Sequence, residues 1–391
     1  MTMQYKKQFW EDLGVEAELS IFQPDMNGLP GSEACTEIHL MLHIEPRGEC
    51  FDAQLSRLEL AEQRLMQLPV MEGMQAVFRR YFLSDAANQM PVILARRLDG
   101  KSALSYIQQP PLDGSKVALW AYFQRGAGQT LELGMTVVEH NAYRHLYHWG
   151  LIEPEGDSYH QTRTLLERYE EELRHFGATL ADNCVRTWFC IRDVDIQYAG
   201  MVRARRENFA GQGLTRHSHY IASTGIGGVP ADTRAIVHLD TYAITGFEPE
   251  QLRYLYARTH LNPTCEYGVT FERGAVIEYG DRAEVYISGT ASINNRGEVV
   301  FPGDIVGQTR RMWENVEKLL EEADATTADL SHIIVYLRDL ADYRTVKRMF
   351  DEKYPDVPRV FTLAPVCRPA WLVEMECMAT PHRKNRQYRN F

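Results

Sequence analysis

Long apolar runs are missing from this sequence. Nowhere in its 391 residues does a stretch approach the roughly 18 apolar residues that a membrane-spanning helix needs, and Met1–Trp10 holds no apolar segment of signal-peptide length. Membrane spanning and secretion are therefore not expected, and a cytoplasmic location is. Positive charge is also in short supply. Against 53 Asp and Glu stand 42 Lys and Arg, a net charge of -11, which is the wrong sign for a nucleic-acid or anionic-membrane surface. A small anionic molecule can still bind through local arginines.

Metal-binding spacings are absent too. There is no CxxC and no HExxH, and His217 and His219 lie in a polar stretch without cysteine or acidic neighbours, so no metal and no cofactor are expected. The cysteines at 35, 50, 184, 190, 265, 367 and 377 are odd in number and mostly sit in apolar runs, which reads as reduced thiols. Gly225-Ile226-Gly227-Gly228 lacks the Gly-Lys-Ser/Thr of a phosphate loop, and a dinucleotide loop would need a parallel strand before it and a helix after it. A tight turn is expected there.

What the sequence does have is an ordinary globular composition, 45% hydrophobic and 24% charged, and an internal repeat. Three segments each place a glutamine at the start of an amphipathic helix, then an apolar strand, then an aspartate: Gln54 to Asp85, Gln161 to Asp193 and Gln308 to Asp339, separations of 31, 32 and 31 residues. Strand patterns precede each glutamine (37–44, near 136–149, and 269–293) and close each repeat (117–123, 235–244 and 372–379). Polar breaks at 125–131 and 245–249 separate the repeats, and Met1–Ser32 reads as an added strand or arm.

The expected fold class is therefore α+β, three ββαβαβ units spanning 1–130, 131–250 and 251–391. Packed about a pseudo-threefold axis, they would leave clefts between neighbouring units. Aligning the closing strands sets Ala118 and His238 where the third repeat has Glu374, so one working cleft per chain is expected. A chain with its own three-way packing is expected to be a monomer, with a dimer as the alternative.

The stretch 358–379 concentrates the chemistry. Two apolar runs flank a corner at Pro365–Pro369 and read as a hairpin, bringing Arg359 near Glu374. A guanidinium fork suits a substrate carboxylate, and a carboxyl on an apolar strand, against Trp371, Met375 and Phe361, can hold its proton near neutral pH. Such a pair would serve an anionic substrate that needs acid catalysis. Arg359 could instead pair with Asp356 or Glu376. Arg186 is a candidate second anchor, or a structural partner of Asp182 or Asp193. Tyr242 is a candidate pocket wall or a core residue.

These residues carry a resemblance. Gly303-Asp304 with Gln308, Val335-Tyr336-Leu337-Arg338-Asp339, Pro358-Arg359 and Val373-Glu374-Met375-Glu376 resemble the RidA/YjgF family, also called endoribonuclease L-PSP-like, whose units share the chorismate mutase-like fold. Arg186-Thr187-Trp188, Ala222–Gly227, Tyr279–Arg282, Ile287–Ile293 and Val366-Cys367-Arg368-Pro369 are similar to the chorismatases, RidA-like proteins that act on chorismate; this likeness is strong over 160–379. It implies release of pyruvate and an aromatic acid, with Glu374 as general acid and Arg359 as the substrate arginine. Gly280 beside Cys367 is similar to the subgroup that forms 3-hydroxybenzoate, with Arg368 expected to lower the thiol pKa and to contact substrate. Trp188-Phe189-Cys190 and the longer N-terminal part depart from that family's pattern. An imine deaminase of RidA type and a non-catalytic binding protein of the same fold are the alternatives.

Overall fold

The computed structural model describes residues 3–24, 34–96 and 100–391. Within the expected arm Met1–Ser32, residues 1, 2 and 25–32 lie outside the described residues; the rest forms two strands.

Each unit starts with antiparallel strands, runs through a helix packed on the sheet, and closes in its middle. The first comprises β1 (Gln4–Trp10), β2 (Val15–Phe22), β3 (Glu37–Ile44), α1 (Phe51–Met66), β4 (Met74–Leu83), α2 (Ala86–Ala95), β5 (Ala103–Gln108) and β6 (Val117–Arg125). The second comprises β7 (Gly128–Glu132), β8 (Met135–His140), β9 (Tyr143–Ile152), α3 (Ser158–His175), the single turn α4 (Leu180–Asn183), β10 (Cys184–Ile191), α5 (Val194–Gly211), β11 (Ala222–Gly227), β12 (Val229–Pro230) and β13 (Val237–Thr245). The third comprises β14 (Leu252–Leu255), β15 (Gly274–Glu278), β16 (Ala283–Ala291), α6 (Ile305–Glu322), β17 (Leu330–Leu337), α7 (Tyr343–Lys353), β18 (Arg359–Leu363) and β19 (Val373–Ala379).

Among the described residues the sheets run β1-β2-β3-β6-β4-β5-β12, β11-β10-β13-β9-β8-β7 and β14-β15-β16-β19-β17-β18. The expected hairpin at 358–379 is thereby corrected. β18 pairs parallel to β17, β19 pairs antiparallel to β17, and β17 lies between them. A crossover through α7 feeds β18 to the outer side of β17, because parallel strands cannot be joined by a tight turn. The glycine-rich 225–228 is no turn either: Gly225 and Gly227 lie inside β11.

The repeated glutamine has a structural cause. Gln54, Gln161 and Gln308 are each the fourth residue of their helix, buried, and each accepts a hydrogen bond from the backbone at the start of the closing strand: Lys116 N (2.8 Å), Ile236 N (2.7 Å) and Leu372 N (2.9 Å). Gln161 and Gln308 also donate to the carbonyls of Arg234 and Ala370. A side-chain amide with one donor end and one acceptor end satisfies a strand edge that no neighbouring strand reaches.

The same repeat orders the seams. Ile107 of β5 pairs with Pro230 of the second unit, Ile226 of β11 bridges Val366 of the third, and Thr362 of β18 bridges Pro111 of the first. Each unit thus hands one strand to the corner of the next, and the ring closes. Strands such as β10 and β17 are buried along their whole length because helices cover one face and neighbouring units the other. At the centre, the Arg80 guanidinium sits 4.8–5.3 Å from the rings of Trp120, Trp149 and Trp188 and pairs with Asp240 at 2.7 Å.

Candidate active site at the seam of the second and third units

The strand registers place Ala118 opposite Phe82, His238 opposite Cys190, and Glu374 opposite Tyr336, each partner lying three residues before its repeat's aspartate. Glu374 is thus the one acid at this position, and it faces the second unit. Across from it β16 bulges between Ile287 and Thr290, at Ser288-Gly289. A methyl group on Gly289 would stand 2.2 Å from Oε1 of Glu374, so the bulge lays bare backbone against the carboxyl.

The second unit supplies the opposite wall from β11 and α5. Gly225 lies where the corresponding strands of the other units carry Tyr106 and Phe361, as read from the registers through Ile226, Ile107 and Thr362. Loss of that ring opens a hollow here, and Tyr198 fills part of it, 3.1 Å from where a Cβ of Gly225 would be. The corner 365–369 is pinned by Gly227 N donating to Pro365 O (2.9 Å) and by Arg338 donating to Val366 O (2.7 Å), which turns Cys367 and Arg368 into the hollow.

Three guanidinium groups line this hollow: Arg205 from α5, Arg273 from the segment before β15, and Arg368 from the corner. Arg205 donates to Ser223 Oγ and Thr270 Oγ1, both at 3.3 Å, and Arg273 to the backbone oxygen of Asn262 at 3.1 Å. The Arg368 guanidinium lies 5.3 Å from the Trp371 ring. Atom-free space amounts to about 490 Å³, of which about 30 Å³ accepts the centre of a water molecule. That admits a few waters, so a larger ligand enters by displacing side chains such as Tyr198.

Burial raises the Glu374 carboxyl to about 8, the charge of Glu376 adds to the rise, and Arg273 and Arg186 oppose it. Glu374 is therefore a neutral acid at pH 7. The Cys367 thiol goes the other way from the expectation. Burial, reinforced by Glu374, pushes it up to about 12, and its hydrogen bond to Tyr198 and the charge of Arg368 only partly offset this. Near neutral pH it is a thiol and not a thiolate.

The hollow brings together three of the sequence-predicted residues, Glu374, Cys367 and Arg368. The others lie elsewhere. Arg359 faces the seam of the third and first units: its guanidinium is taken by Asp351 and by the carbonyls of Tyr354 and Val357, and its amide donates to Glu18 at 3.0 Å. It and Glu374 belong to strands on opposite sides of β17, and each strand serves a different neighbour. The β11 residue corresponding to Arg359 is Ser223. Gly280 packs against the C-terminal segment, donating to Arg389 O at 2.7 Å, and Gly289 is the glycine beside the acid. Tyr242 is a core residue, 2.8 Å from His145 Nδ1 and stacked on Tyr147. Arg186 is buried beneath the hollow and pairs with Glu376 at 2.8 Å, not with Asp182 or Asp193.

Sequence reasoning missed Arg205 and Arg273. Arg205 had a legible signal: it falls on the apolar stripe of α5 with Met201 and Phe209, at four-residue spacing, and a charge on a buried stripe needs a reason. Arg273 had none, since it merely precedes a strand.

Comparison with known proteins agrees with this architecture. The endoribonuclease L-PSP family model matches residues 275–381. The 3-aminoacrylate deaminase RutC of Acinetobacter baylyi is 32% identical over 72 residues, 18% of this chain and 57% of that protein, so the chain spans little more than half the length of this curated relative. A crystal structure of chorismatase aligns with 78% of this chain and 92% of its own at a TM-score of 0.61 and 17% identity. RidA from the Antarctic bacterium Psychrobacter sp. aligns with 32% of this chain and 98% of its own at a TM-score of 0.28 and 20% identity. The chain has the fold of chorismatase, three RidA-like units joined in one polypeptide, and the stretch of its third unit at 275–381 matches the endoribonuclease L-PSP family model.

Proposed function

We propose that the protein cleaves the enolpyruvyl ether of chorismate, with Glu374 as general acid, releasing pyruvate and 3-hydroxybenzoate. The observation that carries this reading is a buried carboxyl, neutral at pH 7, inside an arginine-lined hollow. Chorismate bears two carboxylates and an enol ether, so it asks for cationic anchors and one proton donor. Arg205, Arg273 and Arg368 supply the first and Glu374 the second.

Proton transfer from Glu374 to the methylene carbon creates an oxocarbenium-like centre and makes the ether oxygen a leaving group. The neighbouring ring hydroxyl then attacks in place of water as the pyruvate oxygen departs with its bonding electrons, and the hydroxyl proton goes to solvent. The arene-oxide-like intermediate opens to the hydroxybenzoate as its oxygen takes a proton back from solvent and a ring proton passes to Glu374, which restores the acid. Pyruvate and hydroxybenzoate together account for every atom of chorismate. Cys367, as a thiol hydrogen-bonded to Tyr198, and Gly289 shape the side of the hollow where the ring lies. Of Gly280 and Cys367, the pair whose likeness pointed to 3-hydroxybenzoate, Cys367 lies in the hollow and supports that product.

The test is incubation with chorismate followed by chromatography for pyruvate and for 3-hydroxybenzoate, 4-hydroxybenzoate or a dihydrodiol. Pyruvate from the wild type and none from Glu374→Gln is the expected result. Normal turnover by the variant removes Glu374 from the mechanism. The local sequence likeness to a 3-aminoacrylate deaminase favours imine hydrolysis as the second reading. Ammonia release from an imine generated in situ, without pyruvate release from chorismate, would establish it instead.

A further inference from the structure

Glu376 is two residues beyond Glu374 on β19, on the same strand face and roughly 7 Å along it. It is buried, and its carboxylate is held from across the seam by Arg186 at 2.8 Å, Trp188 Nε1 at 2.9 Å and the Thr224 hydroxyl of the second unit, with Arg80 of the first unit 4.0 Å away. Thr224 Oγ1 in turn accepts from the backbone N of Gly289 at 2.9 Å, on the bulge that lies against the Glu374 carboxyl. A continuous chain thus runs across the seam from Arg186 through Glu376 and Thr224 to Gly289 and ends at Glu374.

We propose that Glu376 is a positioning residue for Glu374: clamped across the seam, it fixes the glycine bulge on which that carboxyl rests and supplies the negative charge that keeps it a proton donor. This role deepens the reading of Glu374 as general acid and rests on it.

The pseudo-threefold supports the assignment. The two positions held by Glu374 and Glu376 are Ala118 and Trp120 in the first unit and His238 and Asp240 in the second. In the second unit the pair is closed on itself, His238 Nε2 lying 2.9 Å from Asp240 Oδ1 while Arg80 neutralises the aspartate. In the third, two acids share a strand face, and the second of them takes the arginines, Arg186 at 2.8 Å and Arg80 at 4.0 Å. Ionising both would concentrate like charge in a buried place, so the uncommitted acid keeps its proton.

The groups that face Glu374 are Glu376 on its own strand, Arg273 before β15, Tyr198 and Arg205 on α5, Cys367 and Arg368 at the corner, and Arg186 on β10. Glu376 is the one carboxylate among them. Removing its charge leaves the cations unopposed, and Glu374 then loses its proton at a lower pH than the value of about 8 it has in the intact site.

The test uses the full chain and the infrared carboxyl stretch of Glu374, assigned by subtracting the Glu374→Gln spectrum and followed from pH 5 to pH 10. Glu376→Gln should move its midpoint down by about one unit or more. The basic limb of chorismate turnover should move with it. An unchanged or raised midpoint overturns the proposal. Should Glu376→Gln fail to fold, Thr224→Val separates the two roles: the midpoint stays within a few tenths of a unit while kcat falls about tenfold or more, and an unchanged kcat overturns the positioning role. A wild type that turns over no chorismate but whose midpoint shifts in Glu376→Gln sinks the chorismate reading while supporting the coupling.

Discussion

Glu374→Gln should make the folded protein less sensitive to alkali, and the size of the effect follows from the site. The carboxyl is 5% exposed and is raised from 4.5 to about 8 in the fold. A carboxyl raised in this way is protonated in the native state while the same group in the unfolded chain is ionised, throughout the window between those two values. Stability is therefore greatest below pH 4.5 as far as this group is concerned, and is lost as pH rises toward 8. At 1.36 kcal/mol per unit, the linkage removes about 4 kcal/mol between pH 5 and pH 9. Glutamine has nearly the same shape and does not ionise, so the variant lacks this slope.

The assay is thermal and urea unfolding of both proteins from pH 5 to pH 9, far from any need for substrate. Curves that converge at pH 5 and separate at pH 9, with the variant the more stable, are expected. Parallel curves would mean that Glu374 titrates normally. The burial argument would then fail, and with it the acid catalysis built on it.

Gly289→Ala introduces a methyl group 2.2 Å from Oε1 of Glu374, and the displaced acid should lower kcat/KM about 100-fold while the unfolding transition shifts far less. Gln308→Ala removes the bonds to Leu372 N, Ala370 O and Phe301 O and should cost about 1–3 kcal/mol in urea unfolding, with near-normal activity in the fraction that stays folded. Arg359→Ala should leave the KM for chorismate within about twofold of wild type, whereas Arg273→Ala should raise it about tenfold or more, because a lost charge-assisted contact is worth about 1.5–3 kcal/mol. With its thiol at about 12, Cys367 should react with iodoacetamide at pH 8 far more slowly than exposed Cys50, as read by mass spectrometry of the labelled peptides.

Much of the fold was legible because local chemistry repeats. A glutamine that clasps the closing strand must sit one turn into its helix, and the strand it clasps must come at a set distance, so Gln54, Gln161 and Gln308 announce the three units without any tertiary knowledge. Strand bounds such as Glu37–Ile44 follow from apolar runs. Glu374 was visible for a related reason: an acid at a position where the other closing strands carry Ala118 and His238 breaks the repeat.

Of the partners of Glu374, Cys367 and Arg368 were visible because they are close in sequence, and Arg205 and Arg273 were not. Sequence proximity joined it to Arg359, but strand order separates them: β17 lies between β18 and β19, and each of those strands faces a different neighbour. Gly280 lies elsewhere and Gly289 beside the acid, and nothing in the chain's linear order says which glycine the β16 bulge presses against it.

By itself the sequence determined the number of units, their α+β character and the one acidic closing strand, since these depend on hydrogen bonds and apolar patterns within about thirty residues. The tertiary structure alone decided that Arg205 and Arg273 stand beside that acid and how strongly it holds its proton. Both depend on groups from two units meeting across a seam, where burial and charge act through space and not along the chain.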